Sequence, residues 1–182
     1  MFGKQFEIPA SHSPSGKKET FEAHHDSTLT AYLRYIIACC DFLRHFNKFD
    51  GHFVGTIEIM KANFPWVTKR HTMTGYRYWV FSGFHIEGLI IIHSSMSKHE
   101  SIGTMTHELM HYFYERFTHK PERYIQKKAI ENIVKIIQNY DLITHPNNEK
   151  NFHQYGITSN LLSLNDLKAV LKYLEVTLPH LF

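Results

Sequence analysis

Ser97-Lys98-His99-Glu100, followed by Ser101-Ile102-Gly103-Thr104-Met105-Thr106 and then His107-Glu108-Leu109-Met110-His111, is the stretch from which the rest of the chain is read. Ser97 and Glu100 have the spacing of a capping box. The serine hydroxyl takes the amide of the third helical residue, and the glutamate reaches back to the serine's own amide. The spacing predicts a helix from about Lys98 to Phe117. On it, His107 and His111 stand about one turn apart, so both imidazoles leave nearly the same face and can converge on one ion. Glu108 projects beside that ion rather than onto it. There it can accept a proton from a water that the metal has acidified. The chemistry expected is zinc-dependent hydrolysis of a peptide bond, with Glu108 as general base.

A catalytic zinc needs a third protein ligand and keeps one position open for water. A third histidine six residues after the second, the metzincin arrangement, is closed here because position 117 is Phe117. His119 would approach only if the helix ended early. Glu115 lies four residues beyond His111, and a straight helix carries it a turn past the ion. Glu131 is the candidate that the pattern favours. It stands on the next expected helix, among Ile125, Ala129, Ile133 and Ile136, where an unpaired carboxylate would be costly and a metal would relieve the cost. The alternative for Glu131 is a boundary carboxylate paired with Lys127 or Lys135. For the donor that an oxyanion needs, the candidates are His153, Tyr155 and His93.

Outward from the motif, Leu89 to Ser94 reads as an apolar strand feeding the helix. His52 to Met60 and the aromatic Tyr76 to Phe81 are the other strand candidates, with Ser82-Gly83 and Gly88 as punctuation. Tyr76 to Phe81 and Leu89 to Ser94 suggest an antiparallel pair joined by a loop. Upstream, Leu29, Leu33, Ile36, Ile37, Cys40 and Leu43 recur at helical spacing behind a cap at Asp26 or Ser27, and Asp50-Gly51 follows as a stop. Residues 1–26, rich in Ser, His, Lys and Gly, read as a flexible lead-in. Downstream, a helix starts near Pro121 and runs to about Tyr140, and Ser163 opens a last helix through Leu174. The expectation is one α+β domain over residues 27–182: an N-terminal helix, a small, mainly antiparallel three-stranded sheet, the motif helix, and the helix carrying Glu131. Tyr76 to Phe81 and Leu89 to Ser94 are the candidate sheet edges along which an extended peptide could lie.

Composition narrows the class. The chain has 182 residues, 43% of them hydrophobic and 14% aromatic, which suits one folded core. Twenty basic and 17 acidic residues leave a formal charge of +3, with no basic block that would suit nucleic acid. The apolar runs are too short to cross a bilayer, and the N-terminus lacks the continuous apolar stretch of a secretory signal. Cys39 and Cys40 are the two cysteines, and neighbours on a helix point apart. They are expected as buried thiols in a reducing compartment, which makes the cytoplasm the default location.

The run Leu89-Ile90-Ile91-Ile92-His93-Ser94-Ser95, then Lys98 to Thr106, then His107 to His111, resembles the ImmA/IrrE family of small gluzincin metallopeptidases. Lys128-Ala129-Ile130-Glu131-Asn132-Ile133-Val134 resembles that family's glutamate-bearing helix. The resemblance spans residues 75 to 143. It implies a compact zincin-like fold and a zinc held by two histidines and a downstream glutamate. It also implies a protein or peptide substrate, such as a repressor or another regulator. Two departures stand out: Met110 occupies a place that is usually glycine, and Val134 and Lys135 stand where a small residue is usual. A second resemblance, to the SprT-like group, rests on the same five-residue motif, but the cysteine-rich ribbon common there is missing. A non-catalytic zinc-binding accessory or interaction protein on the same scaffold is the alternative to a peptidase.

Overall fold

The computed structural model describes residues 3–8, 18–51, 55–63, 67–72, 75–80, 83–86, 88–115, 118–153 and 161–181. The strands in chain order are β1 (Lys4–Ile8), β2 (Glu19–His25), β3 (Glu58–Ala62), β4 (Val67–Thr72), β5 (Gly75–Val80), β6 (Gly83–Ile86) and β7 (Leu89–His93). The helices are α1 (Ser27–His45), α2 (Lys98–Tyr114), α3 (Glu122–Gln138), α4 (Tyr140–Ile143), α5 (Glu149–His153) and α6 (Leu164–Thr177). The fold is α+β, and its sheet is larger than the motif pattern predicts. It has five strands in the order β1-β2-β3-β7-β6, antiparallel throughout except for the parallel β3–β7 pair.

Two strand expectations change. Tyr76 to Phe81 falls largely on β5, which pairs with β4 in a separate two-stranded ladder rather than in the main sheet. The neighbour of β7 is instead the short β6, whose four residues are too few for a sequence period to show. The expected lead-in supplies β1 and β2. Phe6 stacks on Phe21 at 5.6 Å, and Phe21 and Ala23 are buried with Met60, Ala62 and Ile91. Its apolar alternation is short and broken by polar residues, so pairing with β3 rather than local pattern makes it a strand. The start expected for β3 at His52 to Val54, and the Phe117 end of the motif helix, lie outside the described residues.

Side chains alternate across β7 as a strand requires. Ile90 and Ile92 belong to the core shared with the helices, while Ile91 faces the smaller cluster on the other side. His85 of β6 stands directly opposite Ile90, so it shares the helix-facing side of the sheet. The β6–β7 turn holds Gly88 at φ +82°, a conformation that glycine adopts without strain. Tyr112 of α2 ties that turn to the helix: its hydroxyl accepts from the Gly88 amide and donates to the Leu89 carbonyl, both at 3.1 Å.

α2 is the central element, packed between β7 and β6 on one side and α3 and α6 on the other, with α1 alongside. Every residue from Ser101 to His111 is buried. Gly103 makes the α6 contact possible, because a Cβ there would come within 2.4 Å of the Tyr173 ring. The expected capping box is present, with Ser97 Oγ accepting from Glu100 N and Glu100 accepting from Ser97 N. α1 is capped by Asp26, whose carboxylate accepts from Leu29 N at 2.8 Å, and α6 by Ser163 with Asp166. Cys39 and Cys40 are buried free thiols on α1. Burial raises both, Cys40 to about 12, so neither supplies a thiolate. Among the described residues, no helix is long and apolar enough to cross a membrane.

Loss of the α2 cap should be measurable. Ser97→Ala is expected to destabilise the protein by about 1 kcal/mol, read as a shifted midpoint in urea unfolding.

Candidate metal centre

Burial forces the three polar side chains of the motif to find partners, and the partners define the site. His107 and His111 leave α2 on one face, with Nε2 atoms 3.3 Å apart. Glu122, in the first turn of α3, meets both. Its carboxylate lies 2.6 Å from His107 Nε2 and 3.2 Å from His111 Nε2. Pro121 is the extended N-cap of α3 and makes no side-chain bond there, so Glu122 is the first helical residue. Glu108 turns toward the sheet, where His85 Nδ1 lies 2.6 Å from its Oε2. The His85 ring also lies against the His111 ring, with centroids 4.6 Å apart.

The outer nitrogens of the two histidines have different surroundings. His107 Nδ1 is 2.5 Å from Gln126 Oε1, one turn further along α3. His111 Nδ1 has Glu115 Oε1 at 2.8 Å, yet it makes no directed hydrogen bond, so this contact is electrostatic. Burial disfavours charge on both rings. The Glu122 hydrogen bonds and the Glu108 and Glu122 charges outweigh it and raise both, His111 to about 9. Burial would raise Glu122, but its two histidine hydrogen bonds hold it well below the usual carboxylate range.

Among the described residues two three-membered groups bring ligand atoms within 4.8 Å of one another: His107, His111 and Glu122, and His85, Glu108 and His111. They share His111. Both have the two-nitrogen, one-carboxylate donor set that suits zinc. The second would engage Glu108 itself.

Glu131 is not brought to the histidines. Its side chain is 54% exposed and pairs with Lys128 at 3.3 Å, close to the alternative of a boundary carboxylate with a lysine partner. The reason is helical geometry. Glu131 lies two residues from both Ala129 and Ile133, and two residues turn a helix by about 200°, so it leaves the side opposite the core. Glu122 and Gln126 precede Ala129 and Ile133 at helical spacing and share their face, Gln126 buried and Glu122 at its open end with 43% of its side chain exposed. That face periodicity, together with an acid directly after Pro121, was the available signal for Glu122. His119 is exposed and touches Glu115 at 3.4 Å, outside both groups. Of the oxyanion candidates, His153 is exposed on α5, and His93 is buried at the end of β7 with its Nδ1 2.7 Å from Ser95 Oγ. Tyr155 lies outside the described residues. His85, which pattern reading passed over, sits beside Glu108 because of strand pairing.

Compared with protein-family models, curated proteins and solved structures, the chain finds no match in any of the three.

The Glu122–histidine pairs carry a pH signature in chelator-treated protein. A histidine raised on folding stabilises fully below its ordinary value, 6.5, and its contribution is lost as pH rises through the folded value, about 9 for His111. The lowered Glu122 stabilises above its ordinary 4.5, and this is lost as pH falls. The stability difference between chelated wild type and Glu122→Gln should therefore be largest between pH 4.5 and 6.5. It should shrink toward pH 9, as followed by thermal melts. A difference that is flat with pH would disprove the pairing.

Proposed function

We propose that the chain is a zinc-dependent endopeptidase of the gluzincin type, in which His107, His111 and Glu122 hold the metal and Glu108 is the general base. The observation that carries this reading is the convergence of one Glu122 carboxylate on both histidine Nε2 atoms, at 2.6 and 3.2 Å, beside a buried Glu108. The role that sequence pattern suggested for Glu131 passes to Glu122. Zinc bound there would supply a Lewis acid that acidifies water and polarises a peptide carbonyl.

The remaining work falls to the chain's own groups. Glu108 takes the proton from the attacking water and delivers it to the leaving amine. His85 holds Glu108 through Oε2 and limits the orientations its carboxylate can take. The substrate class is polypeptide, and a repressor or other regulatory protein is the specific substrate that the resemblance to ImmA/IrrE suggests.

A second reading, a non-catalytic zinc-binding accessory protein, draws on the same His85–Glu108 contact. If His85, Glu108 and His111 act together as ligands, Glu108 is unavailable as a base.

Protein purified without chelators is expected to contain one zinc per chain by elemental analysis, and zinc-free protein would rule out both readings. Glu122→Ala should weaken zinc binding by more than the roughly 10–100-fold that loss of an outer partner costs, whereas Glu131→Ala should leave it unchanged. Glu108→Gln should retain zinc and lower cleavage of a peptide library by about 10²–10⁴-fold. Zinc bound by wild type with no cleavage, and zinc binding weakened in Glu108→Gln, would select the accessory reading.

A further inference from the structure

Gln126 is a buried amide in the middle of a polar chain that runs from the last turn of α6 to the motif histidine. Its Nε2 donates to the Leu174 carbonyl at 2.9 Å and to Thr177 Oγ1 at 2.8 Å. A carbonyl can only accept, so the NH₂ end of the amide must face α6. The Thr177 hydroxyl gives its own proton to the Tyr173 carbonyl at 2.9 Å, which leaves its oxygen to accept from Gln126. The opposite orientation would set the amide oxygen against the Leu174 carbonyl, two acceptors with no proton between them.

With the amide held this way round, Oε1 is the atom presented to His107 Nδ1 at 2.5 Å. An amide oxygen carries no hydrogen, so Nδ1 must carry one. That leaves Nε2, the nitrogen facing Glu122 at 2.6 Å, as the one whose lone pair a metal can take. We propose that Gln126 is a positioning residue that fixes the ring orientation of His107 with its proton on Nδ1, and that α6 sets the amide's sense through Leu174 and Thr177. The consequence for metal binding rests on the reading given under Proposed function; the Nδ1 proton does not.

The arrangement separates the two histidines. His111 Nδ1 has an off-line carboxylate for company, whereas His107 Nδ1 has a directed acceptor that is itself anchored twice. His107 is therefore the ligand that the surrounding fold pre-orients. The C-terminal helix, which contributes no ligand, becomes part of the metal centre. A polar partner beyond the ligating atoms typically changes metal affinity by about 10–100-fold.

The test compares Gln126→Met, which keeps the volume and removes both polar ends, with Gln126→Glu, which keeps an acceptor toward Nδ1. Three quantities are read: zinc affinity by competition with a chromophoric chelator, the His107 Nδ1–H signal by nitrogen-15 NMR, and the melting temperature. Gln126→Met is expected to lose roughly 10–100-fold in zinc affinity and the protected Nδ1 proton. Gln126→Glu, which keeps the acceptor but has no NH₂ for the Leu174 carbonyl and Thr177, is expected to recover the Nδ1 proton and part of the affinity while lowering the melting temperature. If Gln126→Met does not fold, Thr177→Val removes one of the two anchors and should give a smaller loss in the same two readouts. A lowered melting temperature with zinc affinity and the Nδ1 proton unchanged would overturn the proposal and leave Gln126 a packing residue. Wild type that binds no zinc would overturn the metal reading instead. In that case the His107 Nδ1–H signal, present in wild type and lost in Gln126→Met, would still decide the positioning role.

Discussion

The burial of ionisable side chains in the middle of α2 is the constraint from which the rest of the molecule follows. A helix surrounded by sheet on one side and helices on the other has nowhere to send His107, Glu108 and His111 except into the protein. Removing such groups from water is affordable only if each finds a partner. The partners come from different elements: Glu122 and Gln126 from α3, His85 from β6, Glu115 from the end of α2 itself. The polar centre thereby dictates how α3 and β6 dock on α2.

That dependence runs outward through the fold. α3 presents Glu122 to both histidines only because its apolar face, Ile125, Ala129, Ile133 and Ile136, sets its rotation against the core. α6 reaches α2 closely because Gly103 leaves room for Tyr173, and from that position its last turn accepts the Gln126 amide. On the other flank, Tyr112 pins the β6–β7 turn to α2, which keeps His85 over Glu108. Packing and polar satisfaction are therefore parts of a single solution.

How much of this could be read from the chain alone divides along local and non-local lines. α1, α2, α3 and α6 were legible within a few residues, because capping side chains and the three- and four-residue apolar period act within one element. The sheet was legible in part. β7 announces itself by three isoleucines, but β1, β2 and β6 are short, polar or broken by histidines and owe their conformation to the strands beside them. The Glu131 expectation shows a second limit. Lying between apolar residues in sequence says little about which side of a helix a residue leaves, and Glu131 leaves the opposite side from Ala129 and Ile133.

The sequence by itself determined the helical placement of His107, Glu108 and His111 and the cap at Ser97, since spacing along one helix settles which side chains share a face. The tertiary structure alone decided which groups complete the centre. Glu122, Gln126 and His85 are eleven or more residues from the motif histidine or glutamate they contact, and α6 is further still. The apolar period of α3 shows which face Glu122 and Gln126 share, but what that face meets depends on helix docking, strand register and the way an amide is turned by its anchors, and none of these is periodic in the chain.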